Sequence, residues 1–149
     1  MNASPFIGPN PSRFVKSSNL PYVVQWTTIH SVADRTPVTV VETPEFISRA
    51  KKLLTDEDRE ELIGYLASNP TAGDVVSGAG GIRKIRWQLS GRGKRGGARV
   101  IYFSHGASVP LFLLTAFAKN ERVDLSQADR NGFQRLTKLL VETYRRPRQ

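Results

Sequence analysis

Apolar positions recur with two different periods between residues 38 and 144, and they divide this part of the chain into seven elements. A spacing of three or four residues, typical of one buried helix face, occurs in three stretches. Short β-branched or alternating runs, typical of strands, occur in four others. Together they predict a domain with the order β-α-α-β-β-β-α. The helices are predicted over 43–54, 55–69 and 126–144, and the strands over 38–42, 82–88, 98–104 and 111–118.

Local signals mark where the helices begin. Thr43 can cap the first helix with Pro44 in its first turn, and Thr55 can cap the second, so the two helices are expected to form an antiparallel hairpin. Ser126 and Asp129 have the spacing of a capping box at the start of the last helix. The apolar face of that helix is predicted to consist of Phe133, Leu136, Leu139, Leu140 and Tyr144.

The strands and loops predict an α+β fold with a small, antiparallel-rich sheet, an N-terminal helical hairpin and a C-terminal helix. Residues 111–118 are so apolar that we expect an inner strand covered on both faces. The glycine-rich residues 73–81 are predicted to form a loop, and residues 91–97 a flexible basic loop that joins two antiparallel strands.

Residues 1–37 differ from the rest of the chain, because they contain five prolines and no amphipathic period. We interpret them as an irregular N-terminal extension that precedes a domain at 38–149. Residues 22–26 are apolar enough to form a short strand or a packing anchor, but they are too short for a secretory signal. No apolar run approaches the length of a membrane-spanning helix, so we expect no membrane association and a cytoplasmic location.

Composition and charge narrow the chemistry. The chain has no cysteine and two histidines, which leaves little for a metal site, and we expect no metal or cofactor. His105, at a predicted turn, is interpreted as facing solvent. A net charge of +9 favours a polyanionic partner such as nucleic acid. Residues 75–149 hold fifteen basic residues against four acidic ones, so the basic surface is built mainly by this half.

A cluster of seven basic residues without any acid lies between Arg83 and Arg99. Lys84 and Arg86 share one face of the predicted strand, and antiparallel pairing is expected to bring Arg99 alongside them. A solvated charged surface is one interpretation, and contact with a nucleic-acid backbone is the other. RNA cleavage by the neighbouring 2′-hydroxyl requires that charge on the phosphate be stabilised, and clustered cations can do this. The cluster consists of Arg83, Lys84, Arg86, Arg92, Lys94, Arg95 and Arg99.

Three sequence segments are specific in combination. They are NPxxGDVVxGxGGIRKIRW at 69–87, GxGKxGGxRVIY at 91–102 and AKNE at 118–121. With these segments the chain, from about residue 40 to residue 144, resembles the RelE/ParE superfamily of toxins from bacterial toxin–antitoxin pairs. Within that superfamily it is most similar to the HigB-like branch of RelE toxins. The order of elements predicted from periodicity agrees with the fold of that family.

The resemblance implies an endoribonuclease that needs no metal, enters the ribosomal A site and cuts mRNA during translation. It also implies a cognate antitoxin, which in HigB-like systems commonly carries a helix-turn-helix domain. Position by position, it implies that Lys84 transfers a proton and that Arg86 and Arg99 hold the phosphate, while Arg122 and Lys119 complete the cationic pocket. Of these, Lys84, Arg86, Arg99 and Arg122 are the predicted catalytic residues. The residues expected to bind RNA or the ribosome are Arg83, Arg92, Lys94, Arg95 and Lys119.

Two alternatives share this fold. ParE-like members inhibit DNA gyrase without cutting RNA, and a member that has lost its activity would remain a nucleic-acid-binding module. RelE-type members often place a tyrosine at the start of the last helix, where this chain has Asp124-Leu125-Ser126, so the general base and the base-stacking group have no assigned residue. The presence of Lys84, Arg86 and Arg99 together favours the nuclease, because inhibition by docking does not require all three.

Overall fold

A two-stranded ribbon lies in the N-terminal part of the chain in the computed structural model. Its strands, β1 (Val15–Lys16) and β2 (Val24–Gln25), pair in the antiparallel sense. Strand β2 falls within residues 22–26, where the sequence allows a short strand. The domain that follows is described over residues 37–90, 96–122 and 124–145.

Five strands form the main sheet of this domain. They are β3 (Val40–Glu42), β4 (Asp74–Val75), β5 (Ile82–Trp87), β6 (Ala98–Phe103) and β7 (Leu111–Ala118). Their order across the sheet is β3-β7-β6-β5-β4. Strands β4 to β7 pair in the antiparallel sense, whereas β3 runs parallel to β7. The predicted antiparallel-rich sheet is therefore confirmed, and the first strand of the domain closes it by lying beside the last.

Three helices complete the predicted order, and each begins at its predicted cap. The hydroxyl oxygens of Thr43, Thr55 and Ser126 accept the backbone N–H three residues later, at 3.2, 3.1 and 3.1 Å. Within the described part of the chain, no helix is long and apolar enough to cross a membrane. The helices are α1 (Pro44–Leu53), α2 (Asp56–Ser68) and α3 (Gln127–Arg145).

The helices cover the sheet on its two faces. Tyr102 and Leu113 point towards α1 and α2, whereas Ile101 and Phe117 belong to the core beneath α3. Strand β7 contributes side chains to both cores, and it lies between β3 and β6. The expectation of an inner strand covered on both faces is therefore confirmed.

The glycine-rich segment at 73–81, predicted as a loop, contains strand β4 at the edge of the sheet. Two residues are too few to show an alternating pattern, so the sequence did not reveal this strand. Gly73 lies directly against the buried ring of Tyr102, whose hydroxyl accepts the Gly73 N–H at 2.8 Å. A Cβ at Gly73 would lie 2.8 Å from a ring carbon of Tyr102, so glycine permits this close approach.

Helix α3 packs on the core with three of the five residues predicted for its apolar face. Phe133, Leu136 and Leu140 pack on the core, and Thr137 is the fully buried side chain of the helix. Leu139 and Tyr144 are 60% and 39% exposed, so the prediction is wrong for these two residues. The reason is geometric, since neighbouring helix positions point about 100° apart and the contact line passes through Thr137 and Leu140.

Two buried acids fasten the helical hairpin to the rest of the domain. The Glu42 carboxylate accepts hydrogen bonds from Nε and Nη2 of Arg59 at 2.5 and 2.7 Å, which joins β3 to α2. Asp58 accepts from the backbone N–H of Ser90 at 3.2 Å. Burial acts to raise the pKa of Asp58, but hydrogen bonds from Ser90 and Thr55 outweigh it and hold the pKa below its usual value. Because Ser90 follows β5, these contacts anchor the strand that carries the candidate site.

We expect Gly80→Ala to lower the free energy of unfolding by roughly 2–3 kcal/mol. Gly80 has a φ of +76°, and a Cβ there would lie 2.8 Å from the Cα of Gln134 on α3, so the substitution strains the backbone and displaces the helix. Urea unfolding followed by circular dichroism measures the loss. Gly78→Ala is the matched control, because Gly78 has a φ of +69° with open space around it. Equal losses in the two variants would contradict the packing part of this explanation.

Candidate functional site

The β5–β6 hairpin carries three of the four predicted catalytic residues. Lys84 and Arg86 alternate with Ile85, so they share one face of β5. Arg86 pairs directly with Arg99 across the hairpin, and Lys84 pairs with Ile101. The expected placement of Arg99 beside Lys84 and Arg86 is therefore confirmed. Since Ile101 belongs to the core beneath α3, these cations lie on the α3 side of the sheet.

Arg122, in the segment after β7, reaches the same surface. Its guanidinium carbon lies 5.4 Å from the centroid of the Phe117 ring. Phe117 pairs in register with Arg99, so the two side chains project from the same face of neighbouring strands. The four predicted catalytic cations therefore lie on one surface. We call Lys84, Arg86, Arg99 and Arg122 the basic face.

Arg86 and Arg99 form a pair of like charges at the centre of the basic face. Burial, followed by the charge of Arg86, lowers the pKa of Arg99. Within the part of the chain that the structure describes, no carboxylate oxygen lies within 4.0 Å of either guanidinium. Arginine nevertheless stays protonated at neutral pH, so the repulsion persists in the protein without a ligand. A bound anion would relieve it.

Lys84, by contrast, is neutralised by an acid that sequence reasoning missed. Oδ1 of Asp124 accepts from Nζ of Lys84 at 3.2 Å, and Oδ2 accepts from Nη2 of Arg130 at 3.3 Å. The backbone N–H of Leu125 and then the Lys84 ammonium hold the pKa of Asp124 below its usual value. Asp124 lies 40 residues from Lys84 along the chain. No local pattern in the sequence indicates this contact, because it depends on how the segment after β7 crosses the sheet.

Asp129 links the cap of α3 to the basic face. Its carboxylate accepts from the Ser126 N–H at 3.0 Å and from Nη1 of Arg122 at 3.1 Å. The hydrogen bonds from the Ser126 backbone and hydroxyl hold the pKa of Asp129 below its usual value. Asp129 therefore completes the capping box at the start of α3 and also orients the Arg122 side chain.

Two of the five residues predicted to bind RNA, Arg83 and Lys119, lie within the described part of the chain. Arg83 projects from the opposite face of β5, where Nη1 donates to the carbonyl oxygens of Gly73 and Thr71 at 2.7 and 3.2 Å. Lys119 is exposed in the turn after β7. The remaining three, Arg92, Lys94 and Arg95, lie outside the described residues.

His105 takes no part in the basic face. Its ring stacks on Phe103 with centroids 5.9 Å apart, and the side chain is exposed as predicted. Phe103 ends β6 and Arg99 lies near its start, so the histidine is at the other end of the strand. Among the described residues, no group of three histidine, aspartate or glutamate side chains is placed to hold a metal ion.

The basic face is suited to a phosphodiester. The guanidinium groups of Arg86, Arg99 and Arg122 can each present paired N–H donors to phosphate oxygens, and their charge stabilises the additional negative charge of a phosphoryl-transfer transition state. The ammonium of Lys84 can donate a proton to a leaving oxygen. Three of these four residues lie on paired strands, which fixes the spacing of their Cα atoms before any ligand arrives.

A comparison with known protein families identifies the family to which this fold belongs. The family model described as RelE toxin of RelE / RelB toxin-antitoxin system matches residues 39–146. This chain belongs to the RelE toxin family. The match extends from the residue before β3 to the end of α3 and includes the whole basic face. The RelE assignment confirms the predicted fold class, and membership of a toxin–antitoxin family gives the protein a cognate antitoxin as a partner. RelE toxins are generally endoribonucleases.

Proposed function

We propose that this RelE family member is a toxin that cuts mRNA in the A site of the translating ribosome and so stops translation. The observation that carries the proposal is the guanidinium pair of Arg86 and Arg99, which no carboxylate among the described residues neutralises. Holding two like charges side by side is unfavourable unless an anion is bound there. An RNA phosphate supplies that anion, whereas inhibition of DNA gyrase by docking does not require cations in this arrangement.

The reaction we propose is attack by the 2′-hydroxyl on the adjacent phosphate. A bond forms between O2′ and phosphorus while the bond to O5′ breaks, which leaves a 2′,3′-cyclic phosphate and a 5′-hydroxyl. Lys84 donates the proton to the leaving O5′, and Arg86, Arg99 and Arg122 bind the non-bridging oxygens. Protonated lysine and arginine have no lone pair to accept the 2′-hydroxyl proton. The 2′-hydroxyl proton therefore passes to a general base outside these four residues. The proposed reaction needs no metal.

The proposed partners follow from this reaction. The ribosome and its mRNA supply the substrate in the cytoplasm, and the antitoxin belongs to the helix-turn-helix type found in HigB-like systems. Contacts to RNA phosphates outside the basic face are expected to be electrostatic and independent of sequence. The residues proposed for these contacts are Arg83, Arg92, Lys94, Arg95 and Lys119.

Mapping of cellular mRNA tests the proposal. The full chain is expressed from an inducible promoter together with a reporter mRNA, and primer extension locates new 5′ ends. We expect cuts within the translated region, in register with codons, and growth arrest. A reporter that lacks its start codon is expected to stay intact, because the substrate is mRNA in the ribosomal A site.

The alternatives predict different outcomes in the same cells. Growth arrest with intact mRNA and altered plasmid supercoiling would replace the nuclease with a gyrase inhibitor. Normal growth with intact mRNA would indicate that the protein is a nucleic-acid-binding module without enzymatic activity. Equal cutting of the untranslated reporter would show that the protein is a nuclease that does not need the ribosome.

A further inference from the structure

The carboxylate of Asp124 lies between two cations. Its Oδ1 accepts from Nζ of Lys84 at 3.2 Å and from the backbone N–H of Leu125 at 2.8 Å, and its Oδ2 accepts from Nη2 of Arg130 at 3.3 Å. A phosphodiester also presents two non-bridging oxygens with shared negative charge. Carboxylate and phosphate groups accept the same charge-assisted hydrogen bonds from lysine and arginine.

Arg130 is held in place independently of Asp124. Its Nη1 donates to the carbonyl oxygen of Ser77 at 3.2 Å, in the segment between β4 and β5. The backbone of Lys84 is fixed by its position on β5, where its neighbour on the same face is Arg86. The Ser77 contact keeps Arg130 in place when the carboxylate leaves, and the strand keeps Lys84 within reach of it, so two cations remain to bind an anion there.

The Asp124 carboxylate is accessible to exchange. Its side chain is 45% exposed. Ion pairs at such exposed positions contribute little to stability because water screens them. The contact is therefore too weak to be needed for folding, yet it occupies one of the three donors of Lys84, the residue proposed to protonate the leaving oxygen.

We propose that Lys84 and Arg130 form a phosphate-binding position next to the Arg86–Arg99 pair, and that the Asp124 carboxylate fills it until RNA arrives. This proposal rests on the proposed function, because the phosphate that displaces Asp124 belongs to the RNA substrate. It adds Arg130 to the residues that bind RNA. It also makes Asp124 a competitor that weakens RNA binding, so its removal increases affinity.

Binding of an uncleavable RNA tests this position. The full chain is titrated against a fluorescein-labelled 2′-O-methyl RNA oligonucleotide at fixed low salt, and anisotropy gives Kd. We expect Asp124→Asn to bind about fivefold more tightly than the unchanged protein. Glu121→Gln is the matched control, because it removes the same charge from a side chain that is 44% exposed and pairs with Arg49 instead. A general charge effect would strengthen binding equally in both variants and would overturn the proposal, as would unchanged binding in Asp124→Asn.

A second pair of variants tests the role of Arg130. Arg130→Gln is expected to weaken binding about fivefold, and to remove most of the gain when combined with Asp124→Asn. Arg135→Gln removes the same charge from an exposed position on α3, and a smaller effect is expected. Arg130 would not be a phosphate-binding residue if the two arginine variants weakened RNA binding equally. The same would follow if Asp124→Asn kept its full gain in affinity without Arg130. Because the oligonucleotide has no free 2′-hydroxyl, these results are independent of whether the protein cuts mRNA.

Discussion

The Lys84→Ala/Arg99→Ala variant is expected to lose mRNA cleavage by about 1,000-fold or more, and with it the growth arrest. Lys84 is the proposed proton donor, and Arg99 is one of two guanidinium groups facing each other across the β5–β6 hairpin. Removing both takes away the proton for the leaving oxygen and half of that guanidinium pair. Primer extension on the translated reporter measures the residual cutting.

A control variant that loses the same number of positive charges separates the loss of catalysis from a general weakening of RNA binding. Arg135→Ala/Lys138→Ala also removes two positive charges, from exposed positions on α3. We expect it to keep cleavage within a few-fold of the unchanged protein, since surface charges away from the site act mainly through salt-dependent association. Circular dichroism and thermal melting establish that both variants are folded. Full toxicity of a folded Lys84→Ala/Arg99→Ala variant would remove the basic face as the site.

Arg59→Ala is expected to lower the free energy of unfolding by roughly 3 kcal/mol, the largest stability loss among the substitutions considered for this protein. The Glu42 side chain is 0% exposed, and the forked guanidinium of Arg59 satisfies both of its oxygens. Without Arg59 the buried Glu42 carboxylate has neither a neutralising charge nor these two hydrogen bonds. Urea unfolding followed by circular dichroism measures the loss.

Two further variants show whether burial is the cause. Arg49→Ala removes an arginine that contacts Glu45 and Glu121 at exposed positions, and we expect a loss below about 1 kcal/mol. Replacing both members of the buried pair, as Glu42→Leu/Arg59→Met, is expected to restore most of the stability, because no unpaired charge remains. A loss in Arg59→Ala no larger than in Arg49→Ala would show that the buried pair does not stabilise the fold.

Features that depend on neighbouring residues could be predicted from the sequence. The three helix caps are side chains that bond to the backbone three residues later, so the spacing of Thr43, Thr55 and Ser126 was sufficient to place them. The placement of Arg99 beside Lys84 and Arg86 could be predicted because two strands joined by a hairpin loop are antiparallel neighbours. The three motif segments, in turn, indicated the family that the match over 39–146 then showed.

Features that join distant parts of the chain could not be predicted. The partner of Lys84 is decided by how the segment after β7 crosses the sheet, and no local pattern connects it with Asp124 or Arg130. Strand alternation alone places Arg83 on the face opposite Lys84, but its partners, the carbonyls of residues 71 and 73, come from another segment and could not be predicted. Leu139 was misplaced because a helical period allows several adjacent stripes, and only the packed partner selects one.

The sequence by itself determined the order of elements, the helix starts, the inner strand β7 and the row of cations on the hairpin, because each depends on residues close together in the chain. The tertiary structure decided the rest. It placed β3 parallel to β7, buried Glu42 against Arg59, and brought Asp124 and Arg130 to Lys84. These contacts exist only after the two cores have packed the helices onto opposite faces of the sheet, since only then do the distant groups come within hydrogen-bond distance.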